Sequence, residues 1–289
     1  MDIYAIRVAS TIILAFLYML FDLFNKRNVP DIFAYATLAY ALVLSLLYMN
    51  IVAVEGIALA LVIIGIGYLV YKAGQIGAAD IIEFAAIAMM IPIQPAPWYS
   101  ATNQLGLPFI FSVLVGTGIA ALVIVPLYYL PISISSKKRI SVSGKSLFKG
   151  ILVIAAYLLF TIFIALVSHP SPYAIAMLAI VGIASSIIVA FEDGLTIAMV
   201  DYVGASKFEY GDIIAFNLMD YAFIKKMKKK VKNFDRLVTP ELITEMKKKG
   251  IRKKFPVYKH AMPLALAIFI GVIASLAFGN LLLLLFPGM

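Results

Sequence analysis

Three acidic residues of this sequence stand where carboxyl groups are costly. Asp22 ends a first apolar segment, Asp80 begins a later one, and Glu83 follows Asp80 by one helical turn. Acids in such positions are rare and are functional candidates by default. Two carboxyl groups held close together cannot both ionise readily, so one keeps a proton while the other acts as a base on a shared water. This chemistry activates water without a metal ion or a nucleophilic side chain.

The residue types leave few other routes to catalysis. The chain has 289 residues, no cysteine and two histidines. The lack of cysteine excludes disulfides, zinc sites built on cysteine and thiol nucleophiles. His169 and His260 are far apart and neither belongs to an HExxH-type pair. We therefore expect no metal site and no cofactor.

The composition indicates that the elements holding these acids lie in a membrane. Hydrophobic residues make up 63% of the chain, charged residues 13%, and the mean hydropathy is +1.01. Soluble domains are about half apolar and about a quarter charged. The apolar residues also fall in runs of about 20, the length that crosses a bilayer as a helix. The predicted fold class is all-α, a polytopic membrane helix bundle.

We predict about eight transmembrane helices. They lie near residues 3–21, 32–50, 55–71, 81–97, 108–131, 149–168, 173–191 and 260–286. The first apolar run begins with an acid and has its basic pair behind it, so it is interpreted as a retained span and not as a cleaved signal peptide. The stretch 195–205 is too short to span, and an interfacial or re-entrant piece is expected there.

The distribution of lysine and arginine predicts the orientation of these spans. With the N-terminus outside, the inner loops are 22–31, 72–80, 132–149 and 192–259, and they hold 23 of the 24 basic residues. Positive charge is concentrated on the cytoplasmic side of membrane proteins, so both termini are predicted to be outside. The net charge of +9 then lies on the cytoplasmic face and requires no nucleic acid as partner. Asp22 and Asp80 are predicted at the same depth, the cytoplasmic boundary.

The chain divides into four predicted regions. These are an N-terminal membrane core at 1–131, additional membrane helices at 132–206, a basic cytoplasmic segment at 207–258 and a C-terminal transmembrane helix at 259–289.

Two helices are predicted in the basic segment. The stretch 212–232 has apolar residues on one helical face and ends in lysines, which favours a helix on the inner membrane surface with anionic lipids as partners. A second, shorter helix has Thr239 as N-cap, Pro240 at its first position and Gly250 after its last turn. The basic segment has two equally good interpretations. It is either a solvated loop that only sets the topology or a segment that docks a substrate.

Two motifs give this chain a specific resemblance. "GQIGAADIIEFAAIAMMIPIQP" (74–95) resembles the GxGD stretch of the archaeal type IV prepilin and preflagellin peptidases, which are membrane aspartic proteases, and "FDLFNKRNVPD" (21–31) resembles that family's first motif. The chain departs from the pattern in three places. Ala79 stands at the second glycine of GxGD, the gap between the first aspartate and the Pro-Asp turn is one residue longer, and the spans within 149–191 are additional to a six-helix core.

The resemblance implies a function and assigns roles to residues. Asp22 and Asp80 would be the catalytic pair, with Gly77 as the first motif glycine and Glu83 as a supporting acid. The implied activity is that of an endopeptidase that removes the short basic leader from type IV pilin-like or archaeal flagellin precursors at the cytoplasmic boundary. The N-methylation carried out by bacterial relatives is not expected, because it accompanies a cysteine-bearing segment that this chain lacks.

Other interpretations of the acids stay open. Asp201 has apolar flanks and is the main alternative partner for Asp80, whereas Asp31 and Asp212 are predicted to be helix N-caps. A different class of function is a transporter or channel, in which membrane carboxylates couple protons or ions. The candidate acids lie at one boundary, however, and transporter sites usually lie near the midplane.

Overall fold

In the part of the chain that the computed structural model describes, 76% of the residues are helical. The structure describes residues 3–25, 28–93, 95, 107–135, 144–168, 172–232, 234–251, 253–259 and 262–281.

Eight apolar helices account for most of this content. They are α1 (Ile3–Phe24), α2 (Asp31–Leu47), α3 (Ile51–Lys72), α4 (Ala78–Met90), α5 (Phe109–Ser135), α6 (Gly144–Ser168), α7 (Pro172–Ala190) and α11 (Leu264–Phe278). In the described part of the chain α1, α3, α5 and α6 are long and apolar enough to cross a membrane. This finding supports a membrane-associated helical bundle. Each predicted span overlaps one of the eight helices, but the crossing of α2, α4, α7 and α11 stays a prediction.

Helix α4 is the best-buried helix of the bundle. All side chains at 83–90 are buried, and the helix packs against α1, α2 and α3. Its alanines and the facing glycines allow this close approach, since a Cβ on Gly56 would come within 2.8 Å of the Pro92 ring. The Ser45 hydroxyl of α2 donates to the Met89 carbonyl at 3.1 Å. Asp80 and Glu83 are therefore carried by a firmly packed helix.

Helices α6 and α7 form a hairpin that packs mainly on itself and, through α7, on α5. A Cβ on Gly150 would lie 2.9 Å from the Ala190 methyl group, and the Ser186 hydroxyl donates to the Gly150 carbonyl at 2.8 Å. These are the helices predicted as additional membrane helices.

The residues after α7 form a small mixed unit, here called the polar subdomain (residues 200–259). It follows α8 (Glu192–Met199) and contains β1 (Val200–Gly204), α9 (Tyr221–Lys230), α10 (Pro240–Lys248) and β2 (Lys254–Tyr258), with β1 and β2 antiparallel. Its core includes Phe234 and Phe255, whose ring centres are 5.9 Å apart. The all-α prediction thus needs one qualification, because strands occur in this unit.

The two helices predicted in the basic segment have different outcomes. Helix α10 is confirmed: the Thr239 hydroxyl accepts from the Leu242 amide at 3.3 Å, and Gly250 has a φ of +59° after the last turn. The helix predicted over 212–232 was wrong in its first half. It begins only at Tyr221, because the chain at 212–215 pairs with distant strands and Asp220 caps α9 by accepting from the Ala222 amide.

Candidate active site

Asp22 lies in the last turn of α1 and is 8% exposed. Its Oδ2 accepts a hydrogen bond from the Ala265 amide at 3.1 Å. Ala265 is in the first turn of α11, which follows Pro263, and amides of a first helical turn have no acceptor within their own helix. The carboxyl group of Asp22 therefore satisfies an otherwise orphan donor and is held in place by it.

Asp80 is the third residue of α4 and is half-buried. Its Oδ2 accepts from the Gly77 amide at 3.2 Å, so the side chain reaches back over the first turn as in a capping box. A Cβ on Gly77 would lie 2.8 Å from the same Oδ2. Glycine at this position thus leaves room for the Asp80 carboxyl group, which gives the first motif glycine a local physical reason.

One cavity of about 550 Å³ is lined by both aspartates, and we call it the dyad cavity. Its wall is made of the start of α11, the α1–α2 and α3–α4 connections and one side of the polar subdomain. The two carboxyl groups are close enough to interact electrostatically. A volume of this size is typical of ligand sites, which span roughly 300–1,000 Å³. The structure thus brings together the two aspartates that the motifs singled out.

Glu83 lies one turn further along α4 and is 2% exposed. Neither of its carboxyl oxygens has a hydrogen-bond partner among the described residues, although both aspartates are near enough to interact with it electrostatically. Tyr18, fully buried one turn before Asp22, also lies within electrostatic reach of Glu83. Tyr18 was not predicted as a site residue, and its four-residue spacing from Asp22 on a helix was the available signal.

An ion-pair cluster of the polar subdomain reaches the cavity wall through Asp212. Lys259 Nζ lies 2.7 Å from Asp212 Oδ1 and 2.7 Å from Glu209 Oε2, and the Glu209 amide donates to Asp212 Oδ2 at 2.9 Å. Burial alone would lower the pKa of Lys259, but the hydrogen bonds that Lys259 donates to the two carboxylates outweigh it, and the pKa is raised. The stabilisation that these ion pairs give the fold is complete below the pKa of an ordinary lysine. It is lost only as the pH rises through the raised pKa of Lys259. The predicted helix cap at Asp212 was wrong, because this residue caps a turn and binds Lys259.

The other two candidate acids, Asp31 and Asp201, differ in their position relative to the dyad cavity. Asp31 lines the cavity, but it is the first residue of α2 and Pro30 occupies the N-cap position, so the predicted cap is displaced by one residue. Asp201, the alternative partner, is exposed on β1 opposite Val257 and does not line the cavity.

Comparison with protein-family models, characterised proteins and solved structures found no match to this chain.

Within the described residues, no group of three histidine or acidic side chains is placed to hold a metal ion. The carboxyl groups of Asp22 and Asp80 are an acid–base pair that could activate a water molecule.

Proposed function

We propose that this chain is an integral membrane aspartic endopeptidase that acts on pilin-like or archaeal flagellin precursors. The observation that carries the proposal is the dyad cavity, which collects Asp22 from α1 and Asp80 from α4 at one end of the bundle. Each carboxyl group is anchored by a backbone amide, that of Ala265 or Gly77. Two anchored carboxyl groups around one water are the arrangement that aspartic proteases use.

The reaction needs only the two carboxyl groups and water. The ionised carboxylate takes a proton from the water as its oxygen attacks the scissile carbonyl carbon, while the protonated carboxyl group gives its proton to the carbonyl oxygen. The tetrahedral intermediate then collapses as the C–N bond breaks: the first carboxyl group gives its proton to the leaving amine, and the second takes a proton from a hydroxyl group of the intermediate. Each carboxyl group thus serves once as acid and once as base, and the pair returns to a singly protonated state.

The proposed substrate is the one that the family resemblance implies, and the site's place in the bundle is compatible with it. With the N-terminus outside, the dyad lies at the cytoplasmic boundary, next to the basic loops. A precursor's hydrophobic helix would lie in the bilayer beside the enzyme, and its short basic leader would cross the cavity. Cleavage would separate the leader from the helix at the membrane surface.

Membranes carrying single variants test this proposal. Asp22→Asn and Asp80→Asn should each reduce cleavage of a pilin-like precursor by about 10²–10⁴-fold, since acid–base groups contribute on that order. Asp201→Asn is the matched control, because that residue is exposed on β1, and its cleavage rate should equal that of the wild type. Full activity of either dyad variant would refute the peptidase assignment.

Ion or proton coupling is a second candidate function, and Glu83 favours it. A buried carboxyl group without a hydrogen-bond partner among the described residues is a feature of proton relays as well as of enzymes. Vesicles containing the purified protein separate the two functions. A transporter would produce a proton or sodium flux that Glu83→Gln abolishes, whereas a peptidase would leave the vesicles tight.

A further inference from the structure

The polar subdomain extends its two-stranded sheet with two short extended segments. The segment 212–215 pairs with β2: the Tyr258 amide donates to the Ile213 carbonyl at 2.9 Å, and the Ala215 amide to the Pro256 carbonyl at 2.9 Å. On its other side the same segment pairs with 236–238, here called the edge segment. The Ile214 amide donates to the Arg236 carbonyl and the Val238 amide to the Asp212 carbonyl, both at 2.8 Å.

This bonding pattern determines where the backbone of the edge segment points. Ile213 and Leu237 are opposite each other, and the bonds between the segments come from their sequence neighbours. In an antiparallel ladder such a pair directs its own N–H and C=O groups away from the partner strand. The N–H and C=O of Leu237 therefore point outward. Neither has a hydrogen-bond partner within the described part of the chain.

The free edge belongs to the wall of the dyad cavity. Leu237, Ile213 and Tyr258 are cross-strand neighbours, and all three line the cavity with Asp22 and Asp80. The alternate residues, among them Ile214, Val257 and Val238, are buried in the core of the subdomain. One face of the sheet thus packs on the subdomain core and the other faces the aspartates.

The turn that leads to Asp80 lies against the same strands. Gly74 has a φ of +67°, and a Cβ at that position would meet Ile213 at 3.5 Å and Arg236 Cβ at 3.9 Å. The hydroxyl groups of Tyr71, at the end of α3, and Tyr210 approach to 3.4 Å. The edge segment is therefore held next to the α3–α4 connection, which leads directly to Asp80.

We infer that the edge segment binds the precursor by strand addition, with an extended stretch of substrate pairing to the outward N–H and C=O of Leu237. This inference rests on the proposed peptidase function. Unpaired strand edges are templates for another extended chain, and main-chain hydrogen bonds bind such a chain without requiring particular side chains. An extended stretch also leaves its peptide bonds accessible to a water held by two carboxyl groups. The edge would supply this alignment and leave selection of the basic leader to other groups.

A backbone scan of the substrate is the decisive test. Synthetic precursors with a basic leader and a hydrophobic helix are each N-methylated at one residue across the leader and cleavage region, and kcat/KM is measured with the wild-type protein. N-methylation removes one N–H donor. We expect one main loss of about 5-fold, at the residue whose N–H donates to the outward carbonyl of Leu237, and small losses at its neighbours, since a typical hydrogen bond contributes on that order. Equal losses at all positions, or no loss at any of them, would overturn the inference.

A variant of the edge tests the same contact from the protein side. Leu237→Pro removes the outward N–H without breaking a hydrogen bond within the sheet, and Pro is tolerated at such edge positions. Leu237→Ala is the matched control, because it shortens the side chain and keeps the N–H. The proline variant should lower kcat/KM by about 5-fold relative to the alanine variant, mainly through KM. Equal kcat/KM in two folded variants would contradict strand addition.

The outcomes distinguish this inference from the proposed function. If Asp22→Asn and Asp80→Asn abolish cleavage but the scan shows no loss confined to one residue, the peptidase assignment stands and strand addition fails. If the aspartate variants cleave normally, the proposed function itself fails. Should Leu237→Pro not fold, the N-methylation scan decides alone, because it uses the unaltered protein.

Discussion

The carboxyl groups of the two motif aspartates are each held in place by a backbone amide. Because Gly77 has no side chain, the Asp80 carboxyl group can fold back onto the Gly77 amide. Asp22 finds its donor on a helix far along the chain, at Ala265. The motif aspartates were recognisable from the sequence because their chemistry is costly in apolar surroundings. Their anchoring donors depend on how the helices meet.

Gly77→Ala tests the local role of the motif glycine. The added Cβ would lie 2.8 Å from Asp80 Oδ2, so the carboxyl group must move. We expect cleavage to fall by roughly 10²-fold, since a displacement of about 1 Å in a catalytic group can cost that much. Gly118→Ala in α5 is the matched control, because a Cβ there meets nothing within 4 Å. Equal cleavage rates for the two alanine variants would show that Gly77 does not position Asp80.

Elements of the polar subdomain show where sequence patterns succeed and fail. Helix α10 was predictable because its start and stop signals are local, with Thr239 and Pro240 at one end and Gly250 at the other. The segment 212–215 has a helical pattern of apolar residues, yet it is extended. Its hydrogen-bond partners, the carbonyl groups of Arg236 and Pro256, come from distant parts of the chain. Tertiary pairing of this kind overrides local preference and cannot be seen in a window of sequence.

Thr239→Ala should loosen α10 by a predictable amount. The hydroxyl group accepts from the Leu242 amide, and loss of such a cap costs about 1 kcal/mol. Amides in the first turns of α10 should then exchange with deuterium about 5-fold faster, as measured by mass spectrometry of the reconstituted protein. Thr244→Ala is the control, because its hydroxyl group bonds only to the Pro240 carbonyl within the same exposed helix. Unchanged exchange in the Thr239 variant would mean that the cap is not a stabilising contact.

At the scale of the whole molecule, the charge distribution predicts which end of the bundle faces the cytoplasm. Because positive charge is concentrated on the cytoplasmic side, the sequence alone predicts that Asp22 and Asp80 lie at the same depth. The structure brings the aspartates together in one cavity, and it adds the polar subdomain as part of the wall. This addition was not predictable, because Ile213, Leu237 and Tyr258 reach the cavity only through the pairing of their strands.

The natural absence of cysteine makes the predicted orientation easy to measure. Ser206→Cys and Glu55→Cys each introduce a single reporter at an exposed position, the first in the polar subdomain and the second in α3. A membrane-impermeant maleimide should label the Glu55 variant in intact cells and the Ser206 variant only in inside-out vesicles. Reversed labelling would place the dyad cavity on the outer side and remove the proposed access to precursors.

If Asp22 and Asp80 together hydrolyse a peptide bond, the purified protein should cleave a precursor without any other component. Reconstituted wild type, Asp22→Asn and Asp80→Asn are each mixed with a pilin-like precursor, and the products are weighed by mass spectrometry. We predict that the wild type releases an intact leader that ends immediately before the hydrophobic helix, and that neither variant releases it above background. Release of the leader at the wild-type rate by either variant, or no release by the wild type, would contradict the account.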